Sequence, residues 1–83
     1  MVRLNEGDEI GFYVNILSTP AFGKLLAYGD GEIELFCNGV RMPASLIEDG
    51  TYSFQIREFG RVFFQIRCLR GKIDADRIEF SGI

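Results

Sequence analysis

From residue 8 onward, apolar and polar side chains alternate with period two between glycines placed at near-regular intervals. Residues 8–17 set Ile10, Phe12, Val14 and Ile16 on one side and Gly11, Tyr13, Asn15 and Leu17 on the other, the pattern of a half-buried strand. Gly11 within it reads as a bulge or bend. Gly31, Gly39, Gly50, Gly60, Gly71 and Gly82 then punctuate the chain every eight to eleven residues, the spacing of short strands joined by tight turns. No stretch carries a helical period.

A second strand over 24–28 meets Gly29-Asp30-Gly31 and is expected to turn there and pair with 32–37. In that third strand Ile33, Leu35 and Cys37 alternate with Glu32, Glu34 and Phe36. Asn38-Gly39 predicts a two-residue type I′ turn that returns the chain as 40–42, and Pro43 weakens the ladder because it has no N–H to donate. Residues 43–49 read as a connector holding at most one helical turn. Alternation resumes over 51–57, with Tyr52, Phe54 and Ile56 inward. A turn near Phe59-Gly60 leads into 62–69, where Phe64, Ile66 and Cys68 face one way and Phe63, Gln65, Arg67 and Leu69 the other. The last strand is placed at 77–80, after a polar turn at Asp74-Ala75-Asp76.

Seven such strands fit one domain spanning 1–83. The expected fold is all-β, a small antiparallel barrel of five to seven strands, OB-like, with an SH3-like barrel as the alternative. A two-sheet immunoglobulin sandwich needs about 100 residues, whereas one curled sheet buries a common face and removes exposed edges. The stability margin of so small a core favours a homodimer.

Composition narrows this further. With 47% hydrophobic and 25% charged residues, the chain is far from the signature of disorder. It has neither an apolar run of about 18 residues nor an amino-terminal hydrophobic block, so the expectation is a cytoplasmic protein without a membrane span. Cys37 and Cys68 stand apart in alternating stretches and read as small buried hydrophobes, with a bridge open only if their strands are neighbours. There is no histidine, which removes the usual general base and the commonest metal ligand. The expectation is therefore no enzyme, no cofactor and no metal. Glu32 and Glu34 read as the solvated face of a strand, and Asp74 and Asp76 as turn residues.

Charge is uneven. Residues 1–50 carry three cations against eight carboxylates, and residues 51–83 carry six against four. Arg57, Arg61, Arg67, Arg70 and Lys72 face Glu58 alone across what reads as one hairpin, 51–72, and Tyr13, Phe36 and Phe63 lie on the polar side of their strands. Aromatic rings interleaved with cations on a sheet suit single-stranded DNA or RNA, because bases stack on rings while cations track phosphates. Two other readings compete. The acidic amino-terminal half suits a viral or plasmid-borne protein-binding module or nucleic-acid mimic that meets a basic partner, and the exposed rings suit the seam of an assembly subunit.

The run Gly50-Thr51-Tyr52-Ser53-Phe54-Gln55-Ile56, a short turn, and then Gly60-Arg61-Val62-Phe63-Phe64-Gln65-Ile66-Arg67-Cys68-Leu69-Arg70 resembles the carboxy-terminal half of the small single-stranded DNA-binding proteins of filamentous phages. The resemblance covers residues 32–70. It implies an OB-like five-stranded barrel, a homodimer and cooperative, sequence-tolerant binding. It also implies Tyr52 as a core aromatic and Arg57, Arg61 and Arg67 as backbone contacts. The chain departs from that family in being more acidic, with Glu32, Glu34, Glu48 and Asp49 set to repel phosphate.

Overall fold

The structure, a computed structural model, describes residues 1–81; Gly82, the last of the spaced glycines, lies outside them. Nine strands form among these residues: β1 (Val2–Asn5), β2 (Glu9–Ile16), β3 (Ala21–Tyr28), β4 (Glu32–Cys37), β5 (Val40–Met42), β6 (Ser45–Glu48), β7 (Thr51–Ile56), β8 (Gly60–Arg70) and β9 (Lys72–Ser81). They make two antiparallel sheets, a five-stranded one ordered β1-β9-β3-β7-β6 and a four-stranded one ordered β2-β8-β4-β5. The all-β expectation holds, but the strands are divided between two sheets where one curled sheet was expected.

The pairing is nested. β1 pairs with β9, β2 with β8 and β3 with β7, so the chain is one long antiparallel hairpin. This hairpin is rolled up until β9 also meets β3 and β8 also meets β4. Such winding is that of a jelly roll, here with β6 added at one edge. Folding every strand into both a hairpin arm and a sheet lets 83 residues build two layers, which is why the length argument against a sandwich fails.

The nesting overturns two expected hairpins. The turn after β3 leads across to the other sheet, so β3 and β4 do not pair. The three-residue link between β7 and β8 does the same, so 51–72 is not a hairpin. Gly31 and Gly71 make one crossing possible, since a Cβ on Gly71 would stand 2.9 Å from the Cα of Gly31, and Gly71 has a φ of 70° that suits glycine. The Asn38-Gly39 turn forms as expected, with φ of 51° and 81°, and joins β4 to β5.

Two further departures share one cause, which is irregular register. Between β3 and β9, Leu26 pairs with Arg77 and Ala27 with Ala75, leaving Asp76 as an extra residue. Ile73 and Ala75 face inward before this bulge and Ile78 and Phe80 after it, so the period-two phase breaks at the point read as a turn. Asp74 is a strand residue whose carboxylate is paired by Arg3 of β1. A similar shift at Ile47 and the exposure of all four residues hide β6, the segment expected to be a connector. β1 buries only Leu4.

The core lies between the sheets. Val14 and Ile16 of β2, Leu35 of β4 and Val62, Phe64, Ile66 and Cys68 of β8 meet Leu25, Phe54, Ile56 and Ile73 of the facing sheet. Four rings occupy its centre: Phe64 stacks on Phe54 with centroids 5.0 Å apart, and Phe12 and Phe80 lie 5.5 and 5.8 Å from Phe64. Phe54 fits because Gly23 beneath it has no side chain. Tyr52 is half-buried and packs against this core.

Both thiols are buried and free. Cys68 is 0% exposed, and its Sγ donates to the Arg70 carbonyl at 3.2 Å. Burial pushes both thiols up from their ordinary value, with Glu58 adding to the effect at Cys37. A thiol raised in the folded state contributes stability that is fully present below its unfolded pKa, about 8.5, and is lost as pH rises through the folded value. We expect neither cysteine to react with a disulfide reagent in native buffer at pH 7. The urea midpoint should fall between pH 7 and pH 10, and fall less in Cys68→Ala; equal alkaline losses would count against the thiol as the cause.

Candidate nucleic-acid interface

The outer face of the four-stranded sheet collects five of the eight residues singled out from the sequence. On β8 the outward positions are Arg61, Phe63, Gln65 and Arg67, alternating with the buried Val62, Phe64, Ile66 and Cys68. Across β2, Asn15 stands opposite Arg61, Tyr13 opposite Phe63, Gly11 opposite Gln65 and Glu9 opposite Arg67. Across β4, Phe36 stands opposite Gln65 and Glu34 opposite Arg67, and Arg41 of β5 lies beside Phe36.

Rings and cations are organised together here. Tyr13, 61% exposed, has its ring 5.0 Å from that of Phe63. The Arg61 guanidinium carbon lies 4.1 Å above the Tyr13 centroid, within the range of a cation–π contact. Phe63 can lie flat because Gly11 is under it: a Cβ there would come within 2.5 Å of the Phe63 Cζ. Gly11 therefore makes room for a ring, and the register of β2 with β8 runs through it without the expected bulge. Asn38 fixes the neighbouring backbone, accepting from the Phe63 N–H through its side-chain oxygen at 2.8 Å and donating its own N–H to the Phe63 carbonyl.

The electrostatics of this face are mixed. Arg41 is paired with Glu34 at 3.2 Å, and the register sets Arg67 between Glu9 and Glu34. Three arginines thus share a face with two glutamates, and Arg61 is the one backed by a ring in place of a carboxylate.

The remaining three residues lie elsewhere. Arg57 follows β7, donates to Gln55 Oε1 at 2.9 Å, and lines a cleft of about 860 Å3 together with Val40, Met42, Phe54 and Phe80. Arg70 sits at the end of β8 opposite Glu32, beyond the extra residue Leu69. Lys72 opens β9 in the other sheet, opposite Asn5. The single basic hairpin is therefore replaced by cations distributed over two sheets, because β7 and β8 do not pair. Of the other aromatics, Phe22 and Tyr28 belong to β3.

Gly11, Gln65 and Arg41 complete the face and were not among the residues singled out. Alternation already places Gln65 beside Phe63, whereas Gly11 and Arg41 become visible only through cross-strand register. Comparison of the chain with protein-family models, with curated proteins and with solved structures gave no match. Among the described residues, no helix is long and apolar enough to cross a membrane.

Proposed function

We propose that the outer face of β2, β8, β4 and β5 binds single-stranded nucleic acid without strong sequence preference. The observation that carries this reading is the Tyr13–Phe63 ring pair capped by Arg61. A base can stack on the Phe63 ring or on the guanidinium plane of Arg61, since planar cations and rings both accept a base face. When Arg61 turns to a phosphate, it uncovers Tyr13 for a second base. Phe36 and Gln65 extend the platform, and Arg67 supplies further positive charge, while Arg41 is held by Glu34. The reading keeps the principle of an OB-type surface, rings on an open sheet, without requiring a closed barrel. Its setting would be a viral protein acting in the cytoplasm.

The acidic protein-binding alternative has less support. Glu34, one of the carboxylates of the acidic amino-terminal half, is engaged by Arg41, so less free negative charge remains to steer a basic partner.

With only two or three cations on the face, salt dependence should be shallow. At about −0.7 per neutralised phosphate on single strands, the slope of log K against log salt should be near −2. Going from low to physiological salt should then cost about one order of magnitude in affinity. A variant in which Tyr28 and Tyr52 are phenylalanine leaves Tyr13 as the sole fluorophore; its emission should be quenched by oligothymidine. Absence of quenching at low salt with tens of micromolar protein would overturn the proposal.

A further inference from the structure

The four sheet edges are not equally protected. β1 is four residues long and its Arg3 is tied to Asp74. β6 is also four residues long, irregular at Ile47 and charged at Glu48. β5 is three residues long, carries Arg41 and is stopped by Pro43. Shortness, charge, irregularity and proline are the usual means of blocking edge-to-edge pairing. β2 has none of them beyond its first residue. It runs for eight residues in unbroken register with β8, and from Ile10 to Ile16 it contains no charge and no proline.

The core is also thinly covered along this edge. Val14 and Ile16 are buried, but Ile10 and Phe12, on the same inner face, are only half-buried. Phe12 looks across to Phe80 of β9, 6.4 Å away between centroids, and Phe80 and its neighbour Ile78 are half-buried too. Among the described residues β9 has no partner beyond Ala75 on its β1 side, so this seam has an open strand on either side.

Charge selects the occupant. The start of β2 is acidic, with Glu6, Asp8 and Glu9, while its far end lies beside Arg61 through the Asn15 pairing. In an antiparallel ladder, directly opposed residues share a face, so a two-fold axis passes through a residue position, and the fullest overlap of β2 puts it at Phe12 or Tyr13. Either register sets Glu9 opposite Asn15 or Leu17 of the second copy and brings each acidic end toward the Arg61 end of the other. Parallel pairing would set Glu9 against Glu9.

We infer that β2 pairs antiparallel with β2 of a second copy, merging two four-stranded sheets into one of eight strands and covering Ile10 and Phe12. The inference stands apart from the nucleic-acid reading. Sedimentation equilibrium from low to high micromolar protein, without nucleic acid, should show a monomer–dimer equilibrium. Amides within residues 9–16 should gain protection from hydrogen exchange as the dimer fills. Ile10→Lys places a charge at the inner face of the edge, a device that prevents such pairing, and should raise the dimer dissociation constant by about tenfold or more. Quenching of Tyr13 by oligothymidine should persist in that variant, so either proposal can fail without the other. A monomer at every concentration, open-ended oligomers, or a dimer whose β2 amides exchange as fast as in the monomer would overturn the inference. The exchange measurement on the unmodified protein decides the matter even if Ile10→Lys fails to fold.

Discussion

Phe64→Ala should remove about 3–5 kcal/mol of stability, the largest loss expected from any single truncation in this chain. Phe64 is 0% exposed and touches all three other rings of the central cluster, stacked on Phe54, tilted against Phe12 and edge-on to Phe80. Its removal leaves a cavity that the two sheets cannot close without dragging the backbone ladders on either side of β8. Domains of this size hold only several kcal/mol in total, at roughly 0.05–0.15 kcal/mol per residue, so the variant should be largely unfolded near body temperature. Urea unfolding followed by circular dichroism measures the loss directly. Phe59→Ala is the control: that ring is 73% exposed, and its truncation should change stability by no more than about 0.5 kcal/mol. Equal effects for the two variants would show that the aromatic cluster is not the centre of the core.

The second large effect concerns binding. Phe63→Ala should weaken single-strand affinity by about 1–3 kcal/mol, the value of one stacked base, with little dependence on the base offered. The ring is half-buried on the outer face, resting on Gly11, so its truncation removes a platform without opening the core. Arg57→Ala should leave affinity unchanged, because Arg57 lines the cleft beyond β7, away from that face. Fluorescence titration of both variants with the same oligonucleotides makes the comparison. If Arg57→Ala lost as much as Phe63→Ala, the binding surface would have to lie at the cleft.

These expectations rest on features that differ in how plainly the sequence displays them. The inward faces of β2, β4, β7 and β8 are legible because their side chains keep a strict period of two, and Asn38-Gly39 is legible because few other dipeptides adopt two positive φ angles. β9 is legible only in its second half, 77–80, since the extra residue at Asp76 moves its inner face from odd to even positions. β6 is not, since none of its side chains is buried. Pairing is harder still. Adjacent segments usually form hairpins, and nothing local in Gly29-Asp30-Gly31 or in residues 57–59 announces that the chain is leaving one sheet for the other. The candidate site suffered accordingly. Tyr13, Phe36, Phe63 and Arg67 are reached by alternation, a property of single strands, whereas Arg61 lies just before the expected strand 62–69 and enters through the basic run 57–72. Arg57, Arg70 and Lys72 were grouped with them by nearness in sequence, a relation that the nested winding dissolves.

That winding also bears on how the chain reaches its native state. β9 must insert between β1, some seventy positions earlier, and β3, so the five-stranded layer remains split until the latest strand arrives. Closures of such span are costly in entropy before they return any contact, and chains dominated by them fold slowly, in milliseconds to seconds by order of magnitude. During that interval β3 waits with one flank unoccupied, which makes the timing of β9, more than the strength of any one contact, the step at which this molecule is vulnerable to misassembly.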